Sequence, residues 1–211
     1  MFSRLASYNL EGMSTSLHSM SRGRARLTLS GLPSQLISVG GYDGEKSLED
    51  CEAYLISSNK WVALPPLNTG CYMSASVLLP ALRAFSFCGA EGFQKETNSI
   101  ESIQRDSEEK WSLLPLDHKI PKTFKLGAVS FKSKILVFGG TGYTAGYTTL
   151  MLSEEGELEE DFSDDPLNPG SVRKGVFTVK GGRVLTLGFR NLNDEWRWRA
   201  ESFDGKHWAL L

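Results

Sequence analysis

Three thiols, three imidazoles and one dense run of carboxylates are the side chains best suited to nucleophilic, metal or proton-transfer chemistry. Their spacing decides whether they could act together. Cys51, Cys71 and Cys88 show neither C-x-x-C nor metal-ligand spacing, so they read as ordinary buried thiols of a reducing, cytoplasmic compartment. His18, His118 and His207 are scattered, and no pair has the short interval that brings two imidazoles onto one metal. There is no G-x-S-x-G elbow, Walker loop or dinucleotide fingerprint. Gly139-Gly140-Thr141-Gly142 is glycine-rich, but no helix follows to present its N-terminus to a phosphate. No catalytic residue, metal site or cofactor is expected.

Two further clusters are candidates for binding. Glu154, Glu155, Glu157, Glu159, Glu160, Asp161, Asp164 and Asp165 lack the ordered oxygen spacing of a calcium loop. They read as a solvated strand edge in preference to a docking patch for a basic partner. In Asp194-Glu195-Trp196-Arg197-Trp198-Arg199 the alternation puts both tryptophans on one face and both arginines on the other. The expectation is core tryptophans beneath a charged outer face; exposed, they would resemble an interface hot spot. Arg22, Arg24 and Arg26 alternate in the same way and read as one side of a solvated strand edge. A formal charge of −2 gives no general attraction to nucleic acid or to an anionic membrane. No run is long enough to span a bilayer, and the first nine residues lack the apolar core of a secretion signal.

The elements that would position these residues recur. Ile135-Leu136-Val137-Phe138-Gly139-Gly140 is an apolar run leading into a glycine pair. Leu36 to Gly41 and Ala84 to Ala90 have the same shape, and Arg183 to Phe189 is a weaker copy. Between Gly41, Ala90, Gly140 and Phe189 the intervals are 49, 50 and 49 residues. A second marker keeps the step: Glu52-Ala53-Tyr54 leads to Trp61, Glu101-Ser102-Ile103 to Trp111, and Glu201-Ser202-Phe203 to Trp208. Phe162 is taken as the third copy's aromatic residue. A period of this length marks a repeat architecture. Each copy reads as four antiparallel strands, the second apolar on both faces, which requires neighbouring sheets to cover it. The tryptophans Trp61, Trp111 and Trp208 then fill the space between sheets.

The apolar run ending in Gly-Gly, the Glu-x-Tyr, the tryptophan seven residues later and the exit Leu64-Pro65-Pro66-Leu67 together resemble the kelch repeat. The resemblance covers about Arg24 to Leu211, with Ala90 and Phe189 in place of the second glycine. It implies an all-β, kelch-type β-propeller built of four-stranded blades. One domain over 1–211 is expected, with repeats at about 24–67, 72–116, 126–167 and 172–211 and two N-terminal strands within 1–23. Four blades and a half pose a question of closure: a small padded ring, a piece of a larger propeller, or completion by a second copy.

Kelch proteins bind partners on one face of the ring; some recruit substrates to ubiquitin ligases and others bind actin. The resemblance therefore implies a non-enzymatic protein-binding module, an adaptor or scaffold, acting through the loops after the glycine strands. The candidate residues are Tyr42, Asp43, Phe93, Gln94, Tyr143, Tyr147, Arg190 and Asn193. Two alternatives stand beside it. One is a propeller enzyme acting on a sugar-like molecule, as the copper-dependent galactose oxidases and a sialic acid mutarotase also resemble kelch propellers. The other is a structural or truncated repeat array.

Overall fold

The computed structural model describes residues 6–8, 14–80, 83–92, 95–104, 110–115, 124–141, 148–162, 172–179, 182–192 and 195–211. These residues contain strands and turns and no helix, hence none long and apolar enough to cross a membrane. Strands β1 (Ala6–Tyr8) and β2 (Ser14–Ser16) form an antiparallel hairpin. The first blade is β3 (Thr28–Leu32), β4 (Gln35–Val39), β5 (Cys51–Leu55) and β6 (Lys60–Leu64). The second is β7 (Ala75–Leu78) and β8 (Arg83–Phe87), then, after a small hairpin of β9 (Ala90–Gly92) and β10 (Lys95–Glu96), β11 (Ile100–Gln104) and β12 (Ser112–Leu113). The third is β13 (Phe124–Phe131), β14 (Lys134–Thr141), β15 (Thr148–Leu152) and β16 (Leu158–Asp161). The fourth is β17 (Val172–Val179), β18 (Arg183–Leu192), β19 (Glu195–Phe203) and β20 (Trp208–Leu210). Each blade is an antiparallel meander in chain order, as short connections require.

Consecutive blades stack through their first strands, β3 on β7, β7 on β13 and β13 on β17, with no comparable packing between β17 and β3 among the described residues. Three buried layers fill the gaps. Ile37, Val39, Cys51 and Ala53 of the first blade meet Leu78, Ala84, Ile103 and Trp111 of the second. Phe85, Phe87 and Ile100 meet Ile135, Val137, Leu150 and Leu152 of the third. Leu136, Phe138 and Met151 meet Val184, Phe203 and Trp208 of the fourth. In the second and third blades, successive residues of the second strand therefore face opposite blades, and its run of residues is buried on both sides.

The tryptophans stitch each blade to what precedes it. The Trp111 indole N–H donates to Pro65 O at 2.9 Å, and that of Trp208 to Thr149 Oγ1 at 3.3 Å. Trp61 donates to His18 O at 2.9 Å, but is only half-buried, lying against Tyr54 at the start of the stack. The third blade differs from the sequence expectation. Leu158 pairs with Leu152, as Trp61 does with Tyr54 and Trp208 with Phe203, so leucine takes the tryptophan position. Phe162 lies beyond the strand and packs edge-on to Phe203 at 5.5 Å.

Arg24 is a second correction. Instead of sharing a solvated edge with Arg22 and Arg26, it is 1% exposed. Its guanidinium donates to Glu52 Oε1 at 2.6 Å, Asp50 O at 2.8 Å and Gly40 O at 3.2 Å. The alternation of a regular strand does not apply, because the chain here makes isolated bridges, Ala25 with Tyr42, and turns left-handed at Arg26 (φ 54°). The acidic run behaves as expected where it is described. Glu159 and Glu160 flank Lys134 at 2.6 and 3.8 Å along the outer strand, and Glu159 raises the lysine's pKa. Asp164 and Asp165 lie outside the described residues.

Candidate functional site

The glycine strands end against the linker to the next blade. Gly40 N–H donates to Asp50 O at 3.1 Å and Gly41 N–H to Cys71 O at 2.8 Å. Tyr42 then exchanges two backbone hydrogen bonds with Ala25, at 2.8 and 2.9 Å. In the second blade the same geometry occurs one residue earlier than the run's end suggested. Cys88 N–H donates to Ser99 O at 2.9 Å, and Ala90 exchanges two bonds of 3.0 Å with Tyr72. Cys88 and Gly89 thus occupy the glycine-pair positions, and Ala90 stands where Tyr42 does rather than replacing a second glycine. The residues after the bridges, Arg26 and Met73, share left-handed φ values of 54° and 53°.

This framework gathers an aromatic and basic surface at the junction of the first two blades. Tyr42 and Tyr72 lie with ring centroids 5.5 Å apart, and the Arg26 guanidinium sits 5.9 Å from the Tyr72 centroid. Tyr72 is buried, Tyr42 half-buried and Arg26 exposed, which makes a floor with a cation on top. Both hydroxyls brace loops: Tyr42 donates to Gly44 O at 2.9 Å and Tyr72 to Gly92 O at 3.1 Å. Ser47 Oγ–H donates to Glu91 O at 2.6 Å, tying one blade's loop to the next.

Asp43 is engaged within its own loop. Its Oδ1 accepts from Glu45 N–H at 3.0 Å and Lys46 N–H at 2.9 Å, and Arg22 pairs with its other oxygen. These two amides, Lys46 foremost, then Glu45 and the Arg22 charge, hold the carboxyl below the usual carboxylate range. The cap therefore persists through mildly acidic solution and is lost as pH falls through that lowered value. Arg22 reaches Asp50 as well, at 3.5 Å, and Lys95 pairs with Glu91 at 2.8 Å, so charges of both signs rim the surface.

Of the expected site residues, Tyr42 and Asp43 meet here. Phe93, Gln94, Tyr143, Tyr147 and Asn193 lie outside the described residues. Arg190 is not on a loop: β18 continues to Leu192, with Arg190 opposite Arg197 in β19. The ladder runs through Gly188 and Phe189 without the break that Gly40 and Gly41 make. Arg26 and Tyr72 were missed because neither lies after a glycine strand. The left-handed pair shows only in the backbone, and Tyr72 comes from a linker whose equivalent residue is Ala25.

The thiols carry no such geometry. Cys51, Cys71 and Cys88 are buried in the layer between the first and second blades, and no metal-binding cluster exists among the described residues. Burial pushes the Cys51 thiol up to about 12, and contact with Cys88, with burial and Glu101 added, raises that of Cys71. Native protein is therefore expected to react with a thiol-disulfide probe at no more than about a hundredth of the unfolded rate. Fast labelling of the native chain would show that the layer opens. A cleft of about 400 Å³ between β3, β7 and β13 has only apolar side chains and the hydroxyls of Ser30, Ser76 and Ser130 in its lining. Ser30 and Ser76 bond to one another at 2.6 Å, and no titratable group lines the cleft.

Comparison with known proteins agrees with this architecture. Residues 23–68 match the model of the kelch motif. Kelch-like protein 35 of Mus musculus is 34% identical over 189 residues, an alignment that takes in 84% of this chain and 29% of that protein. With four meandering blades, a motif match on the first and a relative spanning most of the repeats, the chain is a kelch-repeat protein.

Proposed function

We propose that this chain is a non-enzymatic protein-binding module, an adaptor or scaffold, whose recognition face is centred on Arg26, Tyr42 and Tyr72. The observation that carries this reading is the Arg26 side chain held over Tyr72 from a left-handed backbone position, with Tyr42 packed beside it. Left-handed arginine costs of order 1–3 kcal/mol, and such strain concentrates where a side chain has work to do. Arginine and tyrosine are also the residues that dominate protein interfaces, being large, amphipathic and able to bond at their tips. The formal charge of −2 favours a protein partner over nucleic acid or an anionic membrane. The cleft by β3 offers a small substrate no acid or base.

Affinity capture with the intact chain tests this, against a variant carrying Arg26→Ala and Tyr42→Ala. Neither change removes a backbone bond, so the fold should persist by circular dichroism. Loss of a hot-spot pair should weaken capture of a bound protein at least tenfold. Full retention by a folded variant would refute the assigned face.

A further inference from the structure

The small hairpin after the second blade's glycine strand is held less by its own pairing than by the residues beside it. Strands β9 and β10 share two pairs, Lys95 with Gly92 and Glu96 with Ala90, with an irregular register between them. A two-stranded ribbon of this size is not stable by itself in water. The Lys95–Glu91 ion pair along it lies at the surface and contributes little. A Cβ added at Gly92 would meet nothing within 4 Å, so the hairpin gains no support from packing at that point.

The anchors of β9 come from residues that build the aromatic floor. At its base Ala90 exchanges two backbone bonds of 3.0 Å with Tyr72. The next two carbonyls each accept a hydroxyl, Glu91 O from Ser47 at 2.6 Å and Gly92 O from Tyr72 at 3.1 Å. Ser47 is itself the bridge partner of Tyr42, and Tyr72 is the ring that lies beside Tyr42 and beneath Arg26. The packing that places Arg26 and Tyr42 therefore also fixes β9 alongside them.

Building on the recognition face proposed above, we infer that β9 and β10 form its second wall, held in place by the Ser47 and Tyr72 hydroxyls as positioning residues. Neither hydroxyl has to touch the partner, since each donates to a main-chain carbonyl of the wall. Ordering a loop at the moment of binding costs affinity, and a wall that is already fixed avoids that cost. Without the two donors the hairpin leaves its place, and the partner must order it on binding.

The test compares the full chain with a double variant, Ser47→Ala and Tyr72→Phe, which removes both donors and keeps the Tyr72 ring. In the free variant the Ala90 and Thr97 amides, bonded to Tyr72 O and Gly89 O, should exchange with deuterium about tenfold faster. Exchange in β8 should not change. The protein captured by the intact chain, purified and titrated against the variant, should bind about tenfold more weakly. Ser47→Thr keeps a donor and should bind within about twofold of the intact chain, whereas Ser47→Ala alone should not. Unchanged exchange, unchanged affinity or equal weakening by Ser47→Thr and Ser47→Ala would each overturn the inference. Weakening by Arg26→Ala with Tyr42→Ala but not by the hydroxyl variant would overturn the wall and leave the recognition face standing. The reverse result would keep the wall and refute the Arg26 centre. Capture of no protein by the intact chain would sink both.

Discussion

Glu52→Ala should be among the most damaging single substitutions in the chain, costing about 3–5 kcal/mol. Glu52 Oε1 receives the Arg24 guanidinium at 2.6 Å while its Oε2 accepts Ser21 N–H at 3.0 Å. The arginine side chain is fully buried and that of Glu52 6% exposed. Removing the carboxylate strands a cation where water cannot replace its partner, and frees the segment that covers the first blade. At roughly 2–4 °C per kcal/mol for a chain of this size, the melting temperature should fall by about 10 °C. The double variant Arg24→Met, Glu52→Met should recover part of this loss, since the stranded charge is gone, although Gly40 O and Asp50 O still lose their donor. Equal melting of Glu52→Ala and the unmodified chain would mean that the pair is not buried.

Gly40→Ala comes next. Gly40 has φ +61°, and a Cβ there would lie 2.3 Å from the Cys71 carbonyl oxygen. The obstacle is backbone that itself accepts from Gly41 N–H, so it cannot swing aside without breaking the contact between blade and linker. Left-handed strain and the clash together should cost about 3 kcal/mol. Gly92→Ala is the control, because nothing lies within 4 Å of a Cβ at that position. It should stay within about 0.5 kcal/mol of the unmodified chain. Chemical denaturation of the two variants checks both values, and a neutral Gly40→Ala would contradict the described strand exit.

The period was legible because it is imposed by stacking. Each blade must present an apolar second strand to two neighbours and leave it at a glycine, and those needs recur about every fifty residues. Local register was less legible. The run Phe85 to Ala90 looks like a strand ending at its last residue, yet Cys88 stands at a glycine position because its amide bonds to Ser99. Phe162 was misplaced for a similar reason: register, not aromatic character, puts Leu158 opposite Leu152. Arg24 could have been found from the glutamates. Glu52, Glu101 and Glu201 occur mid-strand in three repeats, and a buried carboxylate requires donors. Glu101 meets that need with Asn68 and Thr69 amides at 2.8 and 3.3 Å, the equivalent linker position to Arg24 being Cys71.

The proposed recognition face was half legible. Tyr42 and Asp43 follow from the rule that loops after glycine strands gather on one face. Asp43 Oδ1 also accepts from the Glu45 and Lys46 amides, which shapes the loop. The exposed cation is Arg26, and its position depends on a left-handed turn that no residue type announced. Trp198, expected in the core, is 62% exposed, and alternation alone assigns two faces without saying which one is buried.

The measurement that most directly tests the recognition face is hydrogen–deuterium exchange of the chain alone and with its captured partner bound. Protection should concentrate in 25–27, 42–47 and 72–73, around Arg26, Tyr42 and Tyr72. Protection confined to the acidic strand Leu158–Asp161 or to the fourth blade, with those segments unchanged, would contradict it.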